Sequence, residues 1–196
     1  ALSALFLDGE WAADLDAQVL REAGCRVGQT LSEEELEELT ERSNLRRARE
    51  KALYLLEYRS HSKRELMEKI RSLYGEEAAE AAVERMEELG LVDDEEFARQ
   101  YAQQLLERKR LAPARAVFEL TRKGIDRAMA KELIEELTED EDVQESIRAV
   151  IERKYRRSLS DEKGRRRTVQ GLQRMGYSYE DIRCVLRELL EEWDED

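Results

Sequence analysis

Apolar residues recur three and four positions apart along most of this chain, and three such runs each follow a glycine. They are Ala79, Val83, Met86 and Leu89 after Gly75; Ile125, Met129, Leu133 and Leu137 after Gly124; and Ile182, Val185, Leu186 and Leu189 after Gly176. This spacing predicts helices with one buried face. A shorter helix is predicted before each glycine, over Leu66–Tyr74, Ala116–Lys123 and Arg167–Met175. Glycine can take the left-handed conformation that satisfies the last carbonyls of a helix, because it has no Cβ to clash. Each short helix also carries a start signal: Ser62 with Glu65, Pro113, and Ser160 with Asp161 and Glu162. Upstream of each lies a longer amphipathic run, over Glu33–Tyr58, Asp94–Arg110 and Glu141–Tyr155. Ser32 with Glu35 and Asp93 are placed to cap the first two of these.

The three glycines stand 49 and 52 residues apart. A period of about fifty residues means one supersecondary unit used three times, here a unit of three helices. The predicted fold is therefore all-α, with tandem three-helix repeats stacked into an elongated curved array. Only the first thirty residues resist that pattern. Leu2–Leu7 runs into Asp8-Gly9, a hairpin dipeptide, so a β-hairpin returning over Glu10–Ala13 is expected, followed by a helix over Asp14–Ala23. The domain organisation expected is 1–31 for the hairpin and short helix, 32–91, 92–139 and 140–196 for the three repeats, the last ending in an acidic tail. The residues expected in the core are Leu53, Leu56, Leu66, Phe97, Tyr101, Leu120, Ile125, Leu133, Ile182 and Leu186.

Composition narrows the functional classes. Charged residues make up 41% of the 196, against about a quarter in typical domains, which suits slender helices with much solvated surface. No apolar run is long enough to span a membrane, and two remote cysteines, Cys25 and Cys184, point to a reduced, cytoplasmic setting. No catalytic constellation is readable. The single histidine, His61, sits in the polar turn Arg59-Ser60-His61-Ser62 and reads as an exposed linker residue. One histidine and two distant cysteines make no metal spacing, and no phosphate loop or nucleophile elbow is present, so neither cofactor nor enzymatic activity is expected.

The net charge of −13 disfavours nucleic acid at long range, but the bases are not spread evenly. Arg108, Lys109, Arg110 and Arg115 form one group at an element junction, and Arg153, Lys154, Arg165, Arg166 and Arg167 lie in a second. These nine are the candidate contacts for a partner or for DNA. The glycine-joined helix pairs also suggest a helix-turn-helix, but the helix after Gly75 presents Glu76, Glu77, Glu80, Glu84, Glu87 and Glu88, a surface that repels a DNA groove.

Several segments, taken in order, resemble the bacterial RecX regulatory family. They are Ala52-Leu53-Tyr54-Leu55-Leu56 with Arg59, Ser62, Glu65 and Leu66; Gly90-Leu91-Val92-Asp93-Asp94-Glu95-Glu96-Phe97-Ala98 with Tyr101; Pro113, Arg115, Glu119-Leu120 and Lys123-Gly124-Ile125; and Arg174-Met175-Gly176-Tyr177-Ser178-Tyr179 with Ile182 and Val185-Leu186. Ala112 stands before Pro113 where the family commonly has glycine. The resemblance implies a monomeric, non-enzymatic regulator that binds the RecA–DNA filament in its helical groove. It also implies inhibition of ATPase, strand exchange and co-protease activity, in recombination, DNA repair and the SOS response. A sequence-tolerant DNA-binding module acting through the basic junctions is the alternative, and a scaffold bridging other proteins is a third reading.

Overall fold

The computed structural model describes residues 1–139 and 142–194. Asp140 and Glu141, which open the expected third repeat, and Glu195 and Asp196 of the acidic tail lie outside the described residues.

Asp8 and Gly9 both take positive φ, 51° and 88°, as a two-residue hairpin turn requires. Strands β1 (Leu2–Leu7) and β2 (Glu10–Asp16) pair antiparallel on either side. The return strand is longer than expected because the register shifts: Leu5 faces Ala13 while Phe6 faces Trp11, leaving Ala12 as the extra residue of a bulge. Leu15 then points inward, 1% exposed. The helix expected from Asp14 begins instead at Ala17, because Asp14 to Asp16 belong to the strand. Asp16 caps α1 (Ala17–Glu22) by accepting from the Gln18 and Val19 N–H groups. Leu15 and Val19 close over Leu39, and the Asp16 N–H donates to Ser43 Oγ at 2.8 Å. The hairpin is thereby fixed to the next helix.

That helix, α2 (Glu33–Tyr58), starts at the expected capping box of Ser32 and Glu35. It packs against α3 (Lys63–Tyr74) and α4 (Glu76–Glu88) around Leu66, Ile70, Val83 and Met86. Both neighbours cross the later half of α2, where close approach needs small side chains, and Ala48 and Ala52 fill it without exposure. Leu53, one residue and about 100° further round the helix, is 46% exposed, so its assignment to the core is corrected. Leu89, expected on the buried stripe of α4, lies beyond the helix and is 48% exposed.

His61 is also corrected: it is 3% exposed, not a solvated linker residue. Arg59 is fully extended, which turns the chain so that the imidazole folds inward and its Nδ1 meets the Arg59 carbonyl at 2.9 Å. Ser62 caps α3 at the Glu65 N–H, and Glu65 in turn takes the Arg59 guanidinium. Asp93 caps α5 (Asp94–Gln103) through the Glu95 and Glu96 N–H groups, at 2.8 and 3.1 Å. The first compact unit spans Ala1–Phe97.

The second unit, Ala98–Asp196, takes up the rest of α5. Its remaining elements are a π-helical turn (Gln104–Arg108), α6 (Pro113–Arg122), α7 (Arg127–Thr138), α8 (Val143–Val150), a second π-helical turn (Ile151–Tyr155), a 3-10 turn (Arg156–Ser158), α9 (Glu162–Arg174) and α10 (Tyr179–Asp194). Ile147, Ile151, Leu172, Ile182 and Leu189 are fully buried together. Gly75, Gly124 and Gly176 all take positive φ, at 88°, 92° and 97°. The fold is all-α, built of tandem three-helix repeats behind a small two-stranded hairpin. Of the other expected core residues, Leu56 and Tyr101 are half-buried and the rest are buried.

Candidate functional site

The first basic group is held by an unusual backbone. At the end of α5 the hydrogen bonding loosens from four residues to five, with the Lys109 N–H reaching the Gln104 carbonyl at 3.1 Å. Single π-helical turns of this kind recur at functional sites. The chain then turns at Arg110, whose φ of 53° is left-handed, a conformation a side chain with a Cβ rarely adopts. Tyr177 holds it there, its hydroxyl donating to the Arg110 carbonyl at 2.7 Å. Next to that contact the Ala112 N–H donates to the Met175 carbonyl at 3.0 Å. Gly176 meets the same segment closely: a Cβ there would stand 2.6 Å from Arg115 Cβ and 3.3 Å from Ala112 Cβ. The corner between α9 and α10 is thus packed on the start of α6, and it fixes the backbone that presents Arg108, Lys109, Arg110 and Arg115.

Their side chains are differently engaged. Arg108 is exposed. Lys109 Nζ lies 5.7 Å from the centre of the Tyr101 ring, and Lys123 Nζ approaches that ring equally. Arg115 pairs with Glu119 at 2.6 Å and lies over the Phe118 ring at 5.0 Å, with Arg122 at 6.0 Å from the same ring. Phe118 is 51% exposed. This arginine–phenylalanine–arginine row was missed in the sequence, although its spacing of three and four residues places the three on one helical face.

The second basic group is not a single cluster. Arg153 and Lys154 are exposed on the second π-helical turn, whose Tyr155 ring closes on Gly171. Arg165, Arg166 and Arg167 occupy successive positions of α9, so they point about 100° apart. Arg165 bends back to donate to the Leu159 carbonyl at 2.9 Å, and Arg166 pairs with Glu162. Arg167 is exposed.

The charge is strongly segregated. Between Arg99 and Arg127 there are eight bases against three acids, and between Arg153 and Arg174 nine against two, in a chain of net −13. Both segments lie in the second unit, and the Ala112–Met175 and Arg110–Tyr177 hydrogen bonds join the turn after the first to the end of the second. Elsewhere, burial pushes the pKa of His61 below its usual value, with the Arg59 carbonyl acting the other way. Among the described residues no three His, Cys, Asp or Glu side chains are grouped to hold a metal ion. No helix among them is long and apolar enough to cross a membrane.

Fold and site together define a tandem-repeat protein whose bases are gathered at the junctions between helices. The three-helix domains of RecX match it in order, the first over residues 48–86, the second over 93–134 and the third over 140–186. The regulatory protein RecX of Streptomyces coelicolor is 34% identical over 158 residues, covering 79% of this chain and 84% of that protein. The regulatory protein RecX of Bacillus velezensis is 27% identical over 194 residues, 98% of this chain and 74% of its own. The chain belongs to the RecX family. Its fold is also that of two crystal structures. One, of a regulatory protein RecX, has a TM-score of 0.61 at 19% identity over 93% of this chain and 91% of that one. The other, RecX from Lactobacillus salivarius, has 0.58 at 24% identity over 74% and 96%.

Proposed function

We propose that this chain is a non-catalytic, monomeric, cytoplasmic regulator of the RecA recombinase. It binds the RecA–DNA filament in the helical groove and suppresses ATPase, strand exchange and co-protease activity. It works as three successive repeats, 32–91, 92–139 and 140–196, behind the segment 1–31. The observation that carries this reading, beyond family membership, is the segregation of charge. An acidic protein that gathers its bases into one unit presents a cationic face to an anionic polymer while its remaining surface repels non-specific contact. Arg108, Lys109, Arg110, Arg115, Arg153, Lys154 and Arg167 are the proposed contacts. Arg165 and Arg166 contribute charge but are partly engaged within the fold.

The test is the single-stranded-DNA-dependent ATPase of a bacterial recombinase titrated with the protein. Inhibition at near-stoichiometric amounts is expected, and the reversal of Arg108, Lys109, Arg110, Arg153 and Lys154 to glutamate should weaken it at least tenfold. Unchanged inhibition by that variant would place the contact elsewhere. One observation favours a second reading, direct DNA binding: the half-exposed Phe118 ring between Arg115 and Arg122 is suited to stacking on an unpaired base. That reading requires binding to bare single-stranded DNA that falls steeply with salt and weakens in Phe118→Ala.

A further inference from the structure

The Gly176 corner shows what a glycine corner of this fold receives. Ala112 and Arg115, in the first turn of α6, press on it, and α10 begins there with Glu180 and Asp181 in its own first turn. The first unit contains the equivalent corner, where Gly75 joins α3 to α4, and α4 likewise begins with two acids, Glu76 and Glu77. This second corner is open. A Cβ built on Gly75 meets nothing within 4 Å, and a groove of about 620 Å³ runs beside it between α2 and α4, floored by Leu45, Tyr74, Ala78 and Ala81. No repeat precedes α2 among the described residues to supply the missing helix start. The hairpin and α1 sit over Leu39 and Ser43 instead.

We propose that this groove is a docking site for the first turn of a basic helix from a partner protein. The partner would carry a small side chain followed three residues later by arginine or lysine, as Ala112 and Arg115 do. Three observations converge on that occupant. The floor is apolar and the volume is in the range that takes a compact ligand. The rim carries Glu41, Glu76 and Glu77 against the single base Arg42, which already faces Glu22 and Glu38 at 4.0 and 3.9 Å. The positive end of an incoming helix is therefore met by carboxylates. The same chain provides a filled example of the contact in its second unit, which fixes the size of the side chains that fit. The groove lies outside the basic junctions, so the proposal does not depend on their role.

The test uses the full chain and a fluorescently labelled synthetic peptide of residues 109–122, which contains the natural occupant of the filled corner. Binding read by anisotropy is expected. It should weaken at least fivefold in Glu76→Lys/Glu77→Lys, with Ala81→Trp, which fills the groove, or when the peptide carries Arg115→Glu. It should be unchanged in Glu180→Lys/Asp181→Lys at the filled corner. Circular dichroism of each variant separates misfolding from lost contact. Absence of binding, or binding insensitive to both groove variants, overturns the proposal. Self-association of the unmodified chain that Ala81→Trp abolishes also overturns it, since the occupant is then a second copy.

Discussion

Replacing Tyr177 by phenylalanine removes one oxygen from a ring that is 5% exposed and leaves its packing intact. The lost interaction is the 2.7 Å hydrogen bond to the Arg110 carbonyl, and such a bond contributes about 1 kcal/mol net. Arg110 itself is half-buried, so water can partly replace the hydroxyl and the loss should not much exceed that figure. At this chain length about 1 kcal/mol corresponds to roughly 2–4 °C in Tm. The left-handed φ of 53° at Arg110 carries its own cost of about 1–2 kcal/mol. Arg110→Gly should therefore stabilise the protein, by about 0.5–1 kcal/mol after the extra chain entropy of glycine is deducted. Once the tyrosine hydroxyl is absent, the turn relaxes and the glycine gains less. Urea unfolding of the parent, both single variants and the double variant should then give a coupling of at least about 0.5 kcal/mol. A Tyr177→Phe protein within about 0.3 kcal/mol of the parent would refute the idea of a latch, as would a destabilising Arg110→Gly. If the latch aims the basic junction, Tyr177→Phe should also weaken ATPase inhibition more than its stability loss accounts for.

His61 predicts a pH dependence. Its folded pKa lies below the ordinary 6.5, so on acidification the unfolded chain takes up the proton first. Stability is full above about 6.5 and declines below it until the folded ring itself protonates; the fall in urea midpoint between pH 7.5 and 5.5 should be smaller in His61→Asn. Gly176→Ala should destabilise more than Gly75→Ala, by about 1–3 kcal/mol in thermal melts, because both strain a positive φ but only Gly176 faces a Cβ at 2.6 Å. Leu172→Ala, at a site with no exposure, should cost about 2–5 kcal/mol by chemical denaturation. Leu53→Ala, half in solvent, should stay within about 1 kcal/mol of the parent.

The repeats were legible because capping and periodicity are local. Glycine at positive φ, Ser32 with Glu35, Asp93 and Pro113 each act on the few residues around them, and each was found where the sequence placed it. What depended on packing direction was not legible. The partners of α2 cross it at alanines, and nothing local distinguishes Ala52 from its larger neighbour Leu53 as the buried residue. His61 sits among polar residues, and the extended Arg59 backbone that folds its ring inward has no sequence signature. In the candidate site, Arg165, Arg166 and Arg167 read as one patch because adjacency in sequence hides the rotation between them. Phe118 went unnoticed because a Val117-Phe118 pair does not say which of the two faces solvent.

The two π-helical turns give the family a way of changing partners without redesigning a helix. Each holds one residue more than an ordinary turn, so deleting a single residue within Gln104–Arg108 or Ile151–Tyr155 would restore regular winding and swing everything beyond it by about 100°. The following bases would then face another direction on an otherwise unaltered scaffold. Insertions and deletions in helices are usually purged, but here a one-residue change is a reversible adjustment. Gaps at these two positions in related chains should therefore accompany changes in binding preference more often than gaps in loops do.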